Sequence, residues 1–145
     1  MQNKKPIQSE HCYSDDIRLI STTDLSGRIT YANKHFVDVS GYSSEELIGQ
    51  QHNIVRHPDM PKEAFADLWQ YLKSDKPWMG MVKNRCKNGD YYWVRAYVTA
   101  LYDSNGKKIG YQSVRTSLSA PEKDRAEKIY AGINAKKRTL SLSRT

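Results

Sequence analysis

At 145 residues the chain has room for one domain with tails, since a second compact core would take roughly another 100 residues. A hydrophobic share of 38% with 27% charged residues is that of an ordinary globular domain rather than a disordered chain, and no apolar run is long enough to cross a bilayer. The net charge of +7 does not point to nucleic acid: residues 1–118 carry 16 basic and 13 acidic side chains and residues 119–145 carry 7 and 3, so most of the surplus sits on a solvated tail and no nucleic-acid partner is expected.

Residues 1–16 are polar, lack a charged-then-apolar export signal and read as an N-terminal extension in a cytoplasmic setting. Cys12 and Cys86 have neither zinc-site nor disulfide spacing and read as small apolar residues. Residues 17–22 and 28–32 form a predicted hairpin around Asp24-Leu25-Ser26-Gly27. Asn33 then caps a helix with Phe36, Val37 and Ser40 on one face, and Gly41 ends it. Ser43 and Glu46 form a capping box for a short helix ending at Gly49. After an irregular stretch over 50–60, Asp59 as cap and Pro61 in the first turn announce a helix to about Lys73, with Phe65, Leu68, Trp69 and Leu72 on its apolar face.

The period then changes. Residues 78–87 and 91–102 alternate around Asn88-Gly89, and a third strand over 108–116 follows Asp103-Ser104-Asn105-Gly106. Five strands with short helices on one face make an α+β domain over residues 17–118 with an antiparallel sheet. From Pro121 a helical pattern with Ala126, Ile129, Tyr130 and Ile133 on one face reads as a connector leaving the domain over 119–145, frayed from Lys136 onward.

The sequence holds two anomalies, the first exposed by strand alternation. In the first meander strand Met79, Met81, Lys83, Arg85 and Lys87 form a charged, wet face, so Trp78, Gly80, Val82, Asn84 and Cys86 point inward with Tyr92, Val94, Ala96, Val98 and Ala100 of the next strand. Gly80, Ala96 and Ala100 are small for a core centre, and Asn84 is polar there. Two accounts fit: a bonded core Asn with Trp69 and Trp78 filling the space, or a pocket whose amide meets a flat heteroaromatic edge. The second anomaly is the donor-rich loop 51–59 before a helix N-terminus, where Arg56 and His57 suit a phosphate or pyrophosphate. The alternative is a capping cluster with Asp59 on the helix start and Arg56 on a surface carboxylate.

The element order and the strings Ser21-Thr22-Thr23-Asp24-Leu25, Tyr31-Ala32-Asn33, Val39-Ser40-Gly41-Tyr42, His52–Pro61 and Lys87-Asn88-Gly89-Asp90 with Tyr92-Trp93-Val94-Arg95-Ala96 resemble the sensory PAS domains of bacterial aerotaxis receptors over about residues 16–118. The resemblance implies a PAS fold enclosing non-covalently bound FAD, whose redox state follows oxygen and respiratory electron flow. It implies flavin contacts or support from Asn33, His52, Arg56, His57, Asp59, Trp78 and Asn84, with Asn53, Phe65 and Trp69 completing the set. Similarity to light-sensing flavin PAS domains puts the Asn84 amide on the ring edge and Arg115 near N5, facing inward, where its charge favours the ring that has gained an electron. Further implied are a HAMP region and signalling domains outside this chain, a homodimer in the full-length receptor, a chemotaxis histidine kinase with its coupling protein downstream, and inner-membrane anchoring through other segments.

Rival readings are weaker. A photochemical flavin adduct needs a Cys in the polar loop, and 53–59 has none. A haem site needs a His on the long helix, and 61–73 has none. No nucleophile–base pair, phosphate loop or metal-ligand spacing suggests an enzyme. A cofactor-free interaction module remains the alternative from another class.

Overall fold

The structure is a computed structural model that describes residues 8–143. The elements are β1 (Leu19–Asp24), β2 (Ile29–Ala32), α1 (Lys34–Ser40), α2 (Ser44–Leu47), α3 (Lys62–Lys73), β3 (Trp78–Arg85), β4 (Tyr91–Tyr102), β5 (Lys108–Thr116) and α4 (Ala120–Ser143). The strands form one antiparallel sheet in the order β2-β1-β5-β4-β3, so the chain's last strand lies at its centre. The first strand is shifted two residues from the expected 17–22, because Leu19 pairs with Arg115 and the ladder continues to Asp24 opposite Gly110. Part of the N-terminal extension is ordered as a strap: Glu10 bridges Tyr91, and the Tyr13 hydroxyl donates to Trp93 O at 2.8 Å. Residues 1–7 and 144–145 of the expected extension and tail lie outside the described residues.

Local chemistry sets the short helices. Asn33 Oδ1 accepts from Phe36 N at 3.0 Å to cap α1, and Gly41 closes it with φ 78°, its N–H donating to Val37 O at 3.0 Å. Helix α2 has the full capping box: Ser43 Oγ accepts from Glu46 N at 3.1 Å and Glu46 Oε1 from Ser43 N at 2.9 Å. These caps present Phe36, Val39 and Leu47 to the inner face of the sheet, where each buried side chain contributes about 1.5–3 kcal/mol.

The outer face departs from expectation. Helix α4, expected as a connector leaving the domain, packs its first turns against the sheet, and it extends as helix to Ser143 where fraying is expected from Lys136. Ala126 is fully buried with Trp93 and Leu118, the Tyr130 ring stacks on Trp93, and its hydroxyl donates to Met81 O at 2.5 Å. Ile129, expected on the packed face, is exposed, because the contact runs through Ala126 and Tyr130. Lys83, expected in solvent, is therefore buried. Its ammonium donates to Asp59 Oδ2 at 3.1 Å and Glu127 Oε1 at 3.2 Å and lies 4.5 Å from the Tyr91 ring centroid.

Candidate functional site

The inner face follows the expected alternation. Trp78, Val82, Asn84, Tyr92, Val94, Ala96 and Val98 are all buried there. With α3 and the loop before it, this face encloses a cavity of about 260 Å³, walled by Leu68, Trp69, Leu72, Val82, Val94, Ala96 and Val98 and by a few polar groups. The hollow is not where glycine alone would put it. A Cβ on Gly80 would lie 2.3 Å from Trp78 Cη2, so the glycine lets the indole lie flat across β3. The indole Nε1 donates to Asp67 Oδ2 at 2.9 Å, which ties it to α3.

Eight of the expected residues meet at the cavity: His52, Asn53, Arg56, Phe65, Trp69, Trp78, Asn84 and Arg115. The other three stand apart, and each has another task. Asn33 spends its amide on the α1 cap, on Ile20 N at 3.1 Å and on Arg18 O at 2.9 Å. His57 is buried beside the cavity loop. Its Nδ1 accepts from Asp59 N at 3.0 Å, which leaves Nε2–H to donate to Gln8 Oε1 at 3.3 Å. Asp59 is exposed and does not cap α3, whose N-cap is Pro61 without a side-chain bond; its carboxylate is drawn instead to Lys83.

Arg56 carries the loop's charge inward. It closes the 3-10 turn His52–Val55 with its N–H on Asn53 O at 2.9 Å, and it bridges to Asn84 on β3. Its guanidinium stacks 3.5 Å from the Phe65 centroid, Nε is buried without a partner, and burial lowers its pKa. No surface carboxylate pairs with it among the described residues, so the capping-cluster account of this loop fails at both Arg56 and Asp59.

Arg115 is the second cation, on the central strand, facing inward and buried. Nη2 donates to Ser21 Oγ at 2.8 Å; Nη1 donates to Ser113 Oγ at 2.9 Å and to His52 Nε2 at 3.2 Å. The guanidinium carbon sits 4.4 Å from the Phe36 centroid, and burial lowers the pKa to about 10, so the group is charged at neutral pH. His52 stacks on Phe36 with ring centroids 5.8 Å apart. Burial, and then the charge of Arg115, lower its pKa to about 3, so the imidazole is neutral and receives the guanidinium at Nε2.

The cavity lining thus holds two arginines and no Asp or Glu. A concave apolar slot with an amide, a neutral imidazole and two cations without carboxylates suits a flat, partly anionic ligand. Sequence reasoning missed Ser21, Gln51, Gln112 and Ser113 in the lining. The strand pattern could have flagged Ser21 and Ser113, which lie on the same faces as Leu19 and Arg115.

A family model described as "PAS fold" matches residues 29–115. The chain is 55% identical over 122 residues to the aerotaxis receptor of Escherichia coli (strain K12), covering 84% of this chain and 24% of that one. It is 31% identical over 100 residues to the nitrogen fixation regulatory protein of Klebsiella pneumoniae, covering 69% of this chain and 20% of that one. It therefore spans a quarter or less of the length of these relatives. Among solved structures, a PAS domain of a protein from Colwellia psychrerythraea superposes with a TM-score of 0.64 at 25% identity, covering 72% of this chain and 89% of that one. A light-oxygen-voltage domain studied with a flavin analogue superposes with a TM-score of 0.67 at 21% identity, covering 82% and 88%, a likeness of fold alone.

Proposed function

The chain belongs to the PAS family, as a sensory domain, and from that premise we propose that it binds FAD non-covalently as the redox-sensing part of an aerotaxis receptor. The observation that carries this reading is a cavity with two arginines and no carboxylate in its walls, behind an amide-bearing apolar slot. Two buried, partnerless atoms, Arg56 Nε and Arg115 Nε, support a ligand that brings acceptors of its own. When bound, the flavin supplies a ring that gains or loses electrons and so changes its charge.

The protein's own residues divide the work. The amide of Asn84 serves the polar edge of the ring, and Val94, Ala96 and Val98 form the apolar floor. Arg56 faces the phosphates, while His57 and Asp59 hold the loop that aims it. Arg115 meets negative charge on the ring and reports it through β5, whose end at Thr116 leads into α4. From there the signal passes to HAMP and signalling domains outside this chain, within a membrane-anchored homodimer that controls a chemotaxis histidine kinase through its coupling protein.

Purified protein should be yellow with flavin absorbance bands, bleached by dithionite and restored by air. Acid release and chromatography should yield FAD rather than FMN. A colourless protein that resists reconstitution would support a cofactor-free interaction module, and a Soret band would support haem.

A further inference from the structure

Three neutral groups hold Arg115, and no carboxylate reaches it among the described residues. Two of the three are hydroxyls placed as a pair. Ser21 on β1 lies directly opposite Ser113 on β5, and both face the guanidinium. Ser21 retains 1% exposure and makes a second contact, 3.0 Å from His52 Nε2. A guanidinium can only donate, so Ser21 Oγ accepts from Nη2, and its own proton shares with Nη1 the single lone pair of Nε2. One small side chain therefore orders the cation and the imidazole together.

The choice of serine matters because of what it leaves undone. A carboxylate here would neutralise Arg115 as thoroughly as two carboxylates neutralise Lys83 on the other face of the sheet. An alanine would release the guanidinium to turn. A buried cation without a counterion is unfavourable in the empty protein, because desolvation is only partly offset by neutral acceptors. Its benefit has to lie with the ligand. Building on the flavin reading above, we propose that Ser21, with its opposite Ser113, is a positioning residue that holds Arg115 aimed into the cavity without neutralising it, which reserves the charge for the electron-rich ligand.

The test compares Ser21→Asp, Ser21→Ala and Ser21→Thr in the whole chain, both without ligand and reconstituted with FAD. In the ligand-free protein, Ser21→Asp gives Arg115 a counterion and should unfold at a higher temperature than Ser21→Ala. With FAD bound, the midpoint potential of Ser21→Asp should fall by more than 59 mV, a tenfold change in a one-electron equilibrium, because the ring no longer faces a free charge. Ser21→Thr keeps the hydroxyl and should restore the wild-type potential. Ser21→Ala, which releases the guanidinium to turn, should also lower the potential; a packing role alone would leave the Ser21→Ala potential at the wild-type value, and that result overturns the proposal, as does a ligand-free Ser21→Asp no more stable than Ser21→Ala. Should Ser21→Asp fail to fold, Ser113→Asp addresses the same guanidinium with the same two readouts. Failure of the flavin reading itself has a separate signature, a wild-type protein that takes up no FAD; the ligand-free comparison then still decides whether Ser21 holds an unneutralised Arg115.

Discussion

Two buried cations stand on opposite faces of one sheet. Lys83, on the outer face of β3, is met by Asp59 and Glu127 and lies over the rings of Tyr91 and Trp93. Arg115, on the inner face of β5, is met only by Ser21, Ser113 and His52. The first arrangement is complete: its charges cancel within the fold and fasten α4 to the loop before α3. In the second, no charge within the fold cancels that of Arg115. The two cations are alike in burial and differ in their partners, carboxylates for Lys83 and neutral groups for Arg115, and the proposed role of Arg115 rests on that difference.

The largest expected effect contrasts the two faces by shape. Gly80→Ala puts a Cβ 2.3 Å from Trp78 Cη2 and should cost about 3 kcal/mol in urea unfolding, with the cavity deformed. Met79→Ala, one residue away and 62% exposed on the outer face, should change stability by less than about 0.5 kcal/mol. Equal losses would remove the indole from its place on the cavity wall.

Next comes acid. His52 has a folded pKa lowered from 6.5 to about 3, so the unfolded chain binds the extra proton, and stability present above pH 6.5 is lost as pH falls toward 3. Wild type should lose on the order of 1–2 kcal/mol between pH 6.5 and 5 that His52→Gln does not lose. Parallel pH profiles would mean that the imidazole is not held neutral beside Arg115.

The cations themselves should then respond in opposite directions. Lys83→Met, which keeps the stem but drops the charge, should lower ligand-free stability by about 1 kcal/mol or less, since its carboxylate partners are largely exposed. Arg115→Met should leave ligand-free stability unchanged or raise it by about 1 kcal/mol, because a buried charge without a counterion disappears. A loss from Arg115→Met as large as that from Lys83→Met, or larger, would make it a structural residue.

The smallest effect is alkaline. Burial pulls the Lys83 pKa down, but hydrogen bonds and attraction from Asp59 and Glu127 outweigh it and raise the value above 10.5. Its contribution is therefore complete below pH 10.5 and is lost as pH climbs through the raised value. Wild type should show this alkaline slope in thermal unfolding, and Lys83→Met should not.

The comparison also shows what could be read from the amino-acid order. Period-two alternation places Asn84 and Ala96 on the inner face, and Asn33, Gly41 and the Ser43–Glu46 box mark helix ends, because these signals are local. Lys83 is illegible in this way: alternation assigns it to solvent, and only the later packing of α4, 44 residues on at Glu127, covers it. Asp59 looks like a helix cap by position, yet the long-range attraction of Lys83 prevails over the local bond. Ser21 is one polar residue in a strand of mixed polarity, and its role exists only because β5 returns to lie between β1 and β4. Only the resemblance puts Arg115 inward, since its strand alternates too weakly to show a face.

The most direct test of a cavity charge held free for a bound flavin is spectroelectrochemical titration of the FAD-loaded wild type beside Arg115→Gln. The flavin should remain bound in both, with the midpoint potential of Arg115→Gln lower by at least about 59 mV, tenfold in a one-electron equilibrium. Equal potentials in two fully loaded proteins would contradict the role given to Arg115, and a wild type that takes up no flavin would contradict the reading of the cavity itself.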